Sequence, residues 1–145
     1  MPRARVLFLC VRNSARSQMA EGFLRRLAGD RFDVCSAGLA AGALRPEAVA
    51  VMRELGIDIS AQRATSVDAY AGQPFDLVVT TCDEAREACP LFPAARRMLH
   101  WSVADPAAAD GAEGERLAAF RRARDELARL VRDLALADDA TFDAG

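Results

Sequence analysis

Val6-Leu7-Phe8-Leu9-Cys10-Val11-Arg12-Asn13-Ser14-Ala15-Arg16-Ser17 decides how this chain folds. Its first four residues form an unbroken apolar run, which reads as a buried strand. A short polar loop follows, and then Met19, Phe23, Leu24 and Leu27 recur at helical spacing. A strand-loop-helix unit turns the loop N–H groups toward one point at the positive end of the helix, which makes an anion site. Cys10 opens this loop and Arg16 closes it, with Val11, Arg12, Asn13, Ser14 and Ala15 between them. A thiol is a poor nucleophile until it ionises, and amide donors, a helix dipole and a fixed guanidinium all favour the thiolate. Arg16 also offers a planar fork that matches two oxygens of a tetrahedral oxyanion. Ser17 can donate its hydroxyl to the thiolate, and Asn13 tolerates a left-handed backbone in a tight loop. A cysteine ending a buried strand is more often plain core; the strand-to-helix junction and the Arg-Ser pair argue for function here.

The whole chain is 145 residues, which suits one domain, 1–145, around one core. At 52% hydrophobic and 28% charged residues it has an ordinary globular composition. No apolar run is long enough to span a bilayer, and Met1-Pro2-Arg3-Ala4-Arg5 lacks the features of a signal peptide. A cytoplasmic location is expected, and no membrane partner. In that compartment four cysteines are expected to be reduced and chemically active rather than a structural disulfide set. With no Cys-x-x-Cys pair and one histidine, no metal site is expected. A net charge of −2 argues against nucleic-acid binding. It does not argue against an anionic substrate, because a local site dominates at short range. Every basic side chain is arginine, so no lysine can take part in catalysis.

Working outward, strand 4–9, helix 16–28 and a short strand 31–35 make a right-handed βαβ unit, so the sheet should be parallel. Cys35 falls in that second strand and reads as structural. Pro46 and Glu47 suit the start of a helix whose buried face carries Val49, Met52 and Leu55, stopped at Gly56. Ser66 can cap a short helix ending at Tyr70. Phe75 to Thr81 is the strongest strand signal, and it delivers Cys82 to a strand's C-terminal end, as the first strand delivers Cys10. A short strand follows at Arg97 to Trp101, and Asp105 should overhang the same crevice. Asp110 and Glu113 read as a capping pair for a final helix with Leu117, Phe120, Leu127, Leu130, Val131 and Leu134 on one stripe. Its charged residues should face solvent, and the chain should fray from about residue 138. The expected fold is α/β: a single three-layer domain with about four parallel strands flanked by helices.

Cys82 and Cys89 are separated by helix-forming residues. Seven residues of α-helix span about 10 Å, whereas a disulfide needs Cα atoms about 4.4–6.8 Å apart. The two cannot bond while the segment is helical. Either they are ordinary buried thiols, or they form a redox switch that unwinds the segment. Cys10 at the same sheet edge favours the switch.

Cys10 to Gly22 resembles the phosphate-binding loop of the low-molecular-weight tyrosine phosphatase superfamily and, within it, the thioredoxin-coupled arsenate reductases. Ser36-Ala37-Gly38, Gly56 to Ser60, Asp76 to Thr80 with Cys82, Cys89-Pro90, His100-Trp101 and Asp105-Pro106 extend the resemblance over nearly the whole chain. The resemblance implies a low-molecular-weight phosphatase-like fold and reduction of arsenate to arsenite, with phosphate or sulfate as substrate analogues. By the same resemblance Cys10 attacks arsenate held by the loop amides of residues 11–17 and by Arg16, and Asp105 is the general acid. Cys82 then attacks Cys10, Cys89 attacks Cys82, and thioredoxin reduces the Cys82–Cys89 disulfide. No tightly bound cofactor is implied, and a monomer is expected.

Departures from the family pattern are few. Ala15 stands where a second cysteine is common, but the mechanism does not use that sulfur. Arg12 stands where glycine is usual; it either adds positive field or points to solvent, and solvent is favoured. A positive φ at Arg12 would carry strain. Asn13, Glu21 and Ser36 match residues that hold potassium in some relatives, but Thr65 replaces an expected acid, so no potassium ion is assigned. Two other readings compete. One is a phosphatase acting on phosphotyrosine or a small phosphate ester with Cys10, Arg16 and Asp105 alone; the resemblance argues against it, because Ala107-Ala108-Ala109 lacks the tyrosine that usually flanks an aromatic substrate. The other is an oxyanion- or thiol-sensing module, which would have no use for Asp105.

Overall fold

The computed structural model describes residues 3–70, 72–81, 95–108 and 111–136. Its elements are β1 (Ala4–Cys10), α1 (Arg16–Ala28), β2 (Phe32–Gly38), α2 (Pro46–Arg53), β3 (Leu77–Thr80), β4 (Met98–His100) and α3 (Glu113–Leu136). The strands form one sheet in the order β2-β1-β3-β4, with every pairing parallel. β1 is therefore central, and the chain leaves it to one side for β2 and returns on the other for β3. An open parallel sheet places its ligand crevice at such a reversal, beyond the C-terminal strand ends. Cys10 is the last residue of β1.

Alternation along the strands divides the core. Val6, Phe8, Leu77 and Val79 face α1, α2 and α3, where Met19, Leu24, Val51, Met52, Phe120 and Leu127 complete one cluster. Leu7, Leu9 and Val78 face the other way, onto a smaller cluster with Phe75, Cys35, Val67 and Tyr70. All three described helices thus lie on one face. On the other, among the described residues, the cover is the 3-10 turn Val67–Tyr70. Ser66 does brace that turn, accepting from the Asp68 N–H at 3.2 Å. No helix among the described residues is long and apolar enough to cross a membrane.

Several local expectations shift. β2 runs three residues past Cys35, because Ser36, Ala37 and Gly38 pair with Phe8, Leu9 and Cys10. β3 is shorter than the apolar run; Phe75 sits ahead of it in an isolated bridge to Ala95. α2 ends at Arg53, and the turn that follows swings Leu55 outward to 47% exposure, so Ala48, Val51 and Met52 form the buried face. Gly56 adopts φ 75° there, as a helix-stopping glycine should. Leu27 is likewise exposed. The α3 stripe holds for Phe120, Leu127, Val131 and Leu134. Arg124 is an exception to the solvent-facing charges: it is buried, donating to Val51 O at 2.9 Å and to Glu54 at 2.7 Å. Asp110, Cys82, Cys89 and the chain from residue 137 lie outside the described residues.

Glu54 ties α2 to α3. It accepts from Arg121 at 2.8 Å and from Arg124 at 2.7 Å, and these hydrogen bonds, Arg121 first, hold its carboxyl down to about 2. A carboxyl lowered in the folded state stabilises fully above its unfolded value and loses that contribution as pH falls toward the folded one. Replacing Glu54→Gln should lower the melting temperature at neutral pH. The gap from wild type should close between about pH 4.5 and 2, and salt should narrow it because Glu54 and Arg121 are exposed. Parallel melting curves across that range check this.

Candidate active site

Ser17, the second residue of α1, brings its hydroxyl to 2.9 Å from the Cys10 sulfur, and the Asn13 N–H donates to the same sulfur at 3.1 Å. Asn13 has φ 54°, the left-handed conformation that lets the loop turn over Cys10. It is the sole non-glycine residue with positive φ among those described. Arg12 has no positive φ, and its side chain is exposed while also lining the cavity.

The Asn13 side chain is fully buried and organises the loop. Its Oδ1 accepts from the Thr65 N–H at 2.8 Å and from Gln18 Nε2 at 3.2 Å. That fixes the amide, so Nδ2 donates to Ser17 Oγ at 2.7 Å and Ser36 Oγ at 3.0 Å. Ser17 Oγ accepts that bond and keeps its own proton free to donate to a Cys10 thiolate. Ser36 in turn donates to Glu21 at 2.5 Å, and Glu21 pairs with Arg25 at 2.6 Å. Gln62 extends the chain, donating to Gln18 Oε1 at 2.7 Å.

This network settles how the potassium trio stands. Asn13, Glu21 and Ser36 do meet, but their oxygens already accept from N–H and O–H donors, and Arg25 supplies the positive charge. Thr65 contributes a backbone N–H where a cation would need an acceptor. The residues do not fit a bound potassium ion. Among the described residues no group of three or more His, Cys, Asp or Glu could hold a metal.

α1 begins without a side-chain cap at Ala15 and has no acidic residue in its first turn. Its N-terminal charge is left for a ligand. Arg16 is mostly buried; Nη1 donates to Val103 O at 2.9 Å and Nη2 lies 3.8 Å from Asp105 Oδ2. Asp105 Oδ1 accepts from the Ala107 N–H at 2.9 Å, so one carboxylate oxygen is anchored and the other faces Arg16. Cys10, Val11, Arg12, Ser14, Ala15, Arg16, Asp105 and Ala107 line one cavity of about 670 Å³, together with residues 42–46. A thiol, a guanidinium, an open helix N-terminus and a carboxylate around one cavity can bind a tetrahedral oxyanion, attack its centre and protonate what leaves. A smaller groove of about 360 Å³ beside Glu21, Arg25 and Asp58 has no thiol in its lining.

The wall from Leu39 to Arg45 was not legible as part of the site. Leu39, Ala40, Gly42 and Arg45 donate backbone N–H groups to the carbonyls of Cys10, Val11, Arg12 and Ser14, at 2.9–3.1 Å. Gly38 permits this approach, since a Cβ there would lie 2.6 Å from Arg12 backbone. The glycines at 38 and 42 were the available signal. Val103 and Gln62 were also missed, and nothing in a single sequence marks a carbonyl or a distant amide as a brace. Cys35 is half-buried against the smaller cluster, where burial first and the Cys35 thiol second push Tyr70 up to about 12. Cys82 and Cys89 lie outside the described residues. Cys82 directly follows Thr81, whose N–H and hydroxyl both reach Leu9 O at 2.8 Å.

A parallel α/β sheet with a cysteine-arginine oxyanion loop after its central strand defines a phosphatase-like class of protein. The sequence profile of the low molecular weight phosphotyrosine protein phosphatase family matches residues 5–142, and the chain belongs to that family. It is 45% identical over 130 residues to arsenate reductase of Halalkalibacterium halodurans, covering 90% of this chain and 94% of that one. Arsenate reductase of Bacillus subtilis is equally similar, at 45% over 130 residues with the same coverage. Among solved structures, an arsenate reductase in the phosphate binding state superposes with a TM-score of 0.79 at 33% identity, covering 91% of this chain and 96% of that one. A low molecular weight protein tyrosine phosphatase from T. tengcongensis gives 0.75 at 28% identity, covering 90% and 97%.

Asn13→Ala should loosen the loop, because it removes four side-chain hydrogen bonds and puts a less tolerant residue at positive φ. We expect alkylation of Cys10 by iodoacetamide at fixed neutral pH to slow by about tenfold or more, and the fold to lose about 2 kcal/mol or more. Alkylation rates and denaturant curves measure the two effects.

Proposed function

We propose that this chain reduces arsenate to arsenite, with Cys10 as nucleophile and a Cys10–Cys82–Cys89 relay regenerated by thioredoxin. The observation that carries the reading is the pairing of β1 with β3. Thr81, which precedes Cys82 in sequence, is hydrogen-bonded through its N–H and its hydroxyl to Leu9, which precedes Cys10. Similarity to proteins named arsenate reductase over about nine-tenths of the chain supports it.

The Cys10 thiolate attacks arsenic while the loop amides, the α1 N-terminus and Arg16 hold the oxyanion. A bond forms between sulfur and arsenic and an oxygen leaves, taking a proton from the acid form of Asp105 to depart as water. The Cys82 thiolate then attacks the Cys10 sulfur. The sulfur–arsenic electron pair goes to arsenic, which leaves as arsenite, and a Cys10–Cys82 disulfide remains. Cys89 attacks Cys82 and frees Cys10. Thioredoxin's dithiol takes over the Cys82–Cys89 disulfide, so each arsenate consumes one dithiol. The enzyme works as a cytoplasmic monomer, where reduced thioredoxin is supplied.

A phosphatase remains the second reading, because Cys10, Arg16 and Asp105 share one cavity and that chemistry needs no other cysteine. Ala107 at the mouth gives no aromatic wall for a phosphotyrosine ring, which favours the reductase.

Arsenate-dependent NADPH oxidation with thioredoxin and thioredoxin reductase tests the proposal. Wild type should turn over, Cys82→Ser should not, and Cys89→Ser should consume arsenate for a single round only. Sustained turnover by Cys89→Ser with thioredoxin as sole reductant would sink the relay. Aryl phosphate hydrolysis without arsenate turnover would establish the phosphatase. Asp105→Asn should lower kcat by about 10²–10⁴-fold while binding phosphate at least as well as wild type, because it removes a negative charge from the cavity.

A further inference from the structure

One arginine on the cavity wall has no part in the relay. Arg45 is the N-cap residue of α2, just ahead of Pro46, and its side chain lines the same cavity as Cys10 and Arg16. Its backbone N–H donates to Ser14 O at 2.9 Å, which fixes its position relative to the oxyanion loop. Its guanidinium Nη2 donates to Glu47 Oε2 at 3.1 Å. Its Nε is buried and, among the described residues, is the one buried side-chain nitrogen or oxygen without a hydrogen-bond partner.

Nε–H and an Nη–H together form the edge with which a guanidinium grips two oxygens of a carboxylate or phosphate. Glu47 uses half of that edge. The remaining N–H cannot be discharged, because arginine does not deprotonate at any relevant pH. An unsatisfied buried donor is costly, and it is relieved when an acceptor arrives. The Arg45 side chain lines the cavity that holds Cys10 and Arg16, but its Nε has no exposed surface there, so the guanidinium must turn from Glu47 for an acceptor to reach it.

We propose that Arg45 is a second anion-binding guanidinium of this site, and that its Nε–H donates to an oxygen of the bound tetrahedral oxyanion. Arg16 holds the anion at the reacting sulfur, while Arg45 grips it from the segment that packs on the loop carbonyls. That contact is the same before and during attack by Cys10, so it strengthens binding without favouring the transition state. Glu47 opposes it, by sharing the guanidinium and by placing a negative charge near the anion. The inference rests on the proposal that the cavity takes a tetrahedral oxyanion.

Calorimetric titration with inorganic phosphate, which needs neither Cys82 nor thioredoxin, separates the two. Wild type should bind phosphate; if it does not, the oxyanion reading itself fails and Arg45 with it. Given wild-type binding, Arg45→Gln should weaken the phosphate Kd about tenfold, or ~1.4 kcal/mol. It should raise the arsenate KM by a similar factor and change kcat by less than about twofold, and Arg45→Lys should recover part of the loss. Glu47→Gln should shift phosphate affinity the other way and tighten it. A phosphate Kd for Arg45→Gln within about twofold of wild type overturns the proposal. If Arg45→Gln does not fold, Glu47→Gln decides alone: tighter phosphate supports the assignment and unchanged affinity overturns it.

Discussion

The site depends on one buried carboxamide. Asn13 holds the left-handed turn of the loop, and its amide joins Ser17, Ser36, Gln18 and the Thr65 backbone into a single arrangement. Its direction is not free. Thr65 N–H can only donate, so Oδ1 must accept, and Nδ2 must then point at the two hydroxyls. Ser36 passes its own proton on to Glu21, and the Ser17 hydroxyl lies 2.9 Å from the Cys10 sulfur. The Cys10 sulfur is thus joined to a network that reaches back through Glu21 to Arg25 and β2. Such a network is stabilising only while every member is satisfied.

Topology places that network where a substrate can use it. β1 is central, and the crossing from β2 to β3 leaves its C-terminal end open between them. α1 starts there uncapped, and the segment from Leu39 to Arg45 is sewn onto the loop carbonyls from outside. The carbonyls of Cys10, Val11, Arg12 and Ser14 are consumed by that outer layer, while the Asn13 N–H turns in to the Cys10 sulfur. A cradle for an anion results from disposing of the acceptors as much as from presenting the donors.

Much of this was legible in the chain. The apolar run before Cys10, the helical spacing after it and the run before Cys82 specify β1, α1 and β3 by pattern alone, whereas the placing of β1 beside β3 is seen only in the sheet order. Arg16, Ser17, Asn13 and Asp105 announced themselves because their side chains have few uses other than chemistry at a strand end. What could not be read depends on distance in the chain. Gln62 reaches Gln18 across forty-four positions, and Val103 steadies Arg16 across eighty-seven. Leu55 was misread for a local reason: the helix period was extended two residues beyond the point where Gly56 forces the backbone to turn. Arg124 was misread because an arginine can be buried when a carbonyl and a carboxylate meet it, and neither lies near it in sequence.

The double grip of Thr81 on Leu9 also sets a length scale. Both donors meet one carbonyl, so the ends of β1 and β3 are pinned at hydrogen-bond distance. Parting them would strand a buried acceptor, at a cost of about 1–3 kcal/mol. The spacing of the two strand ends is therefore a property of the sheet, set before any ligand arrives.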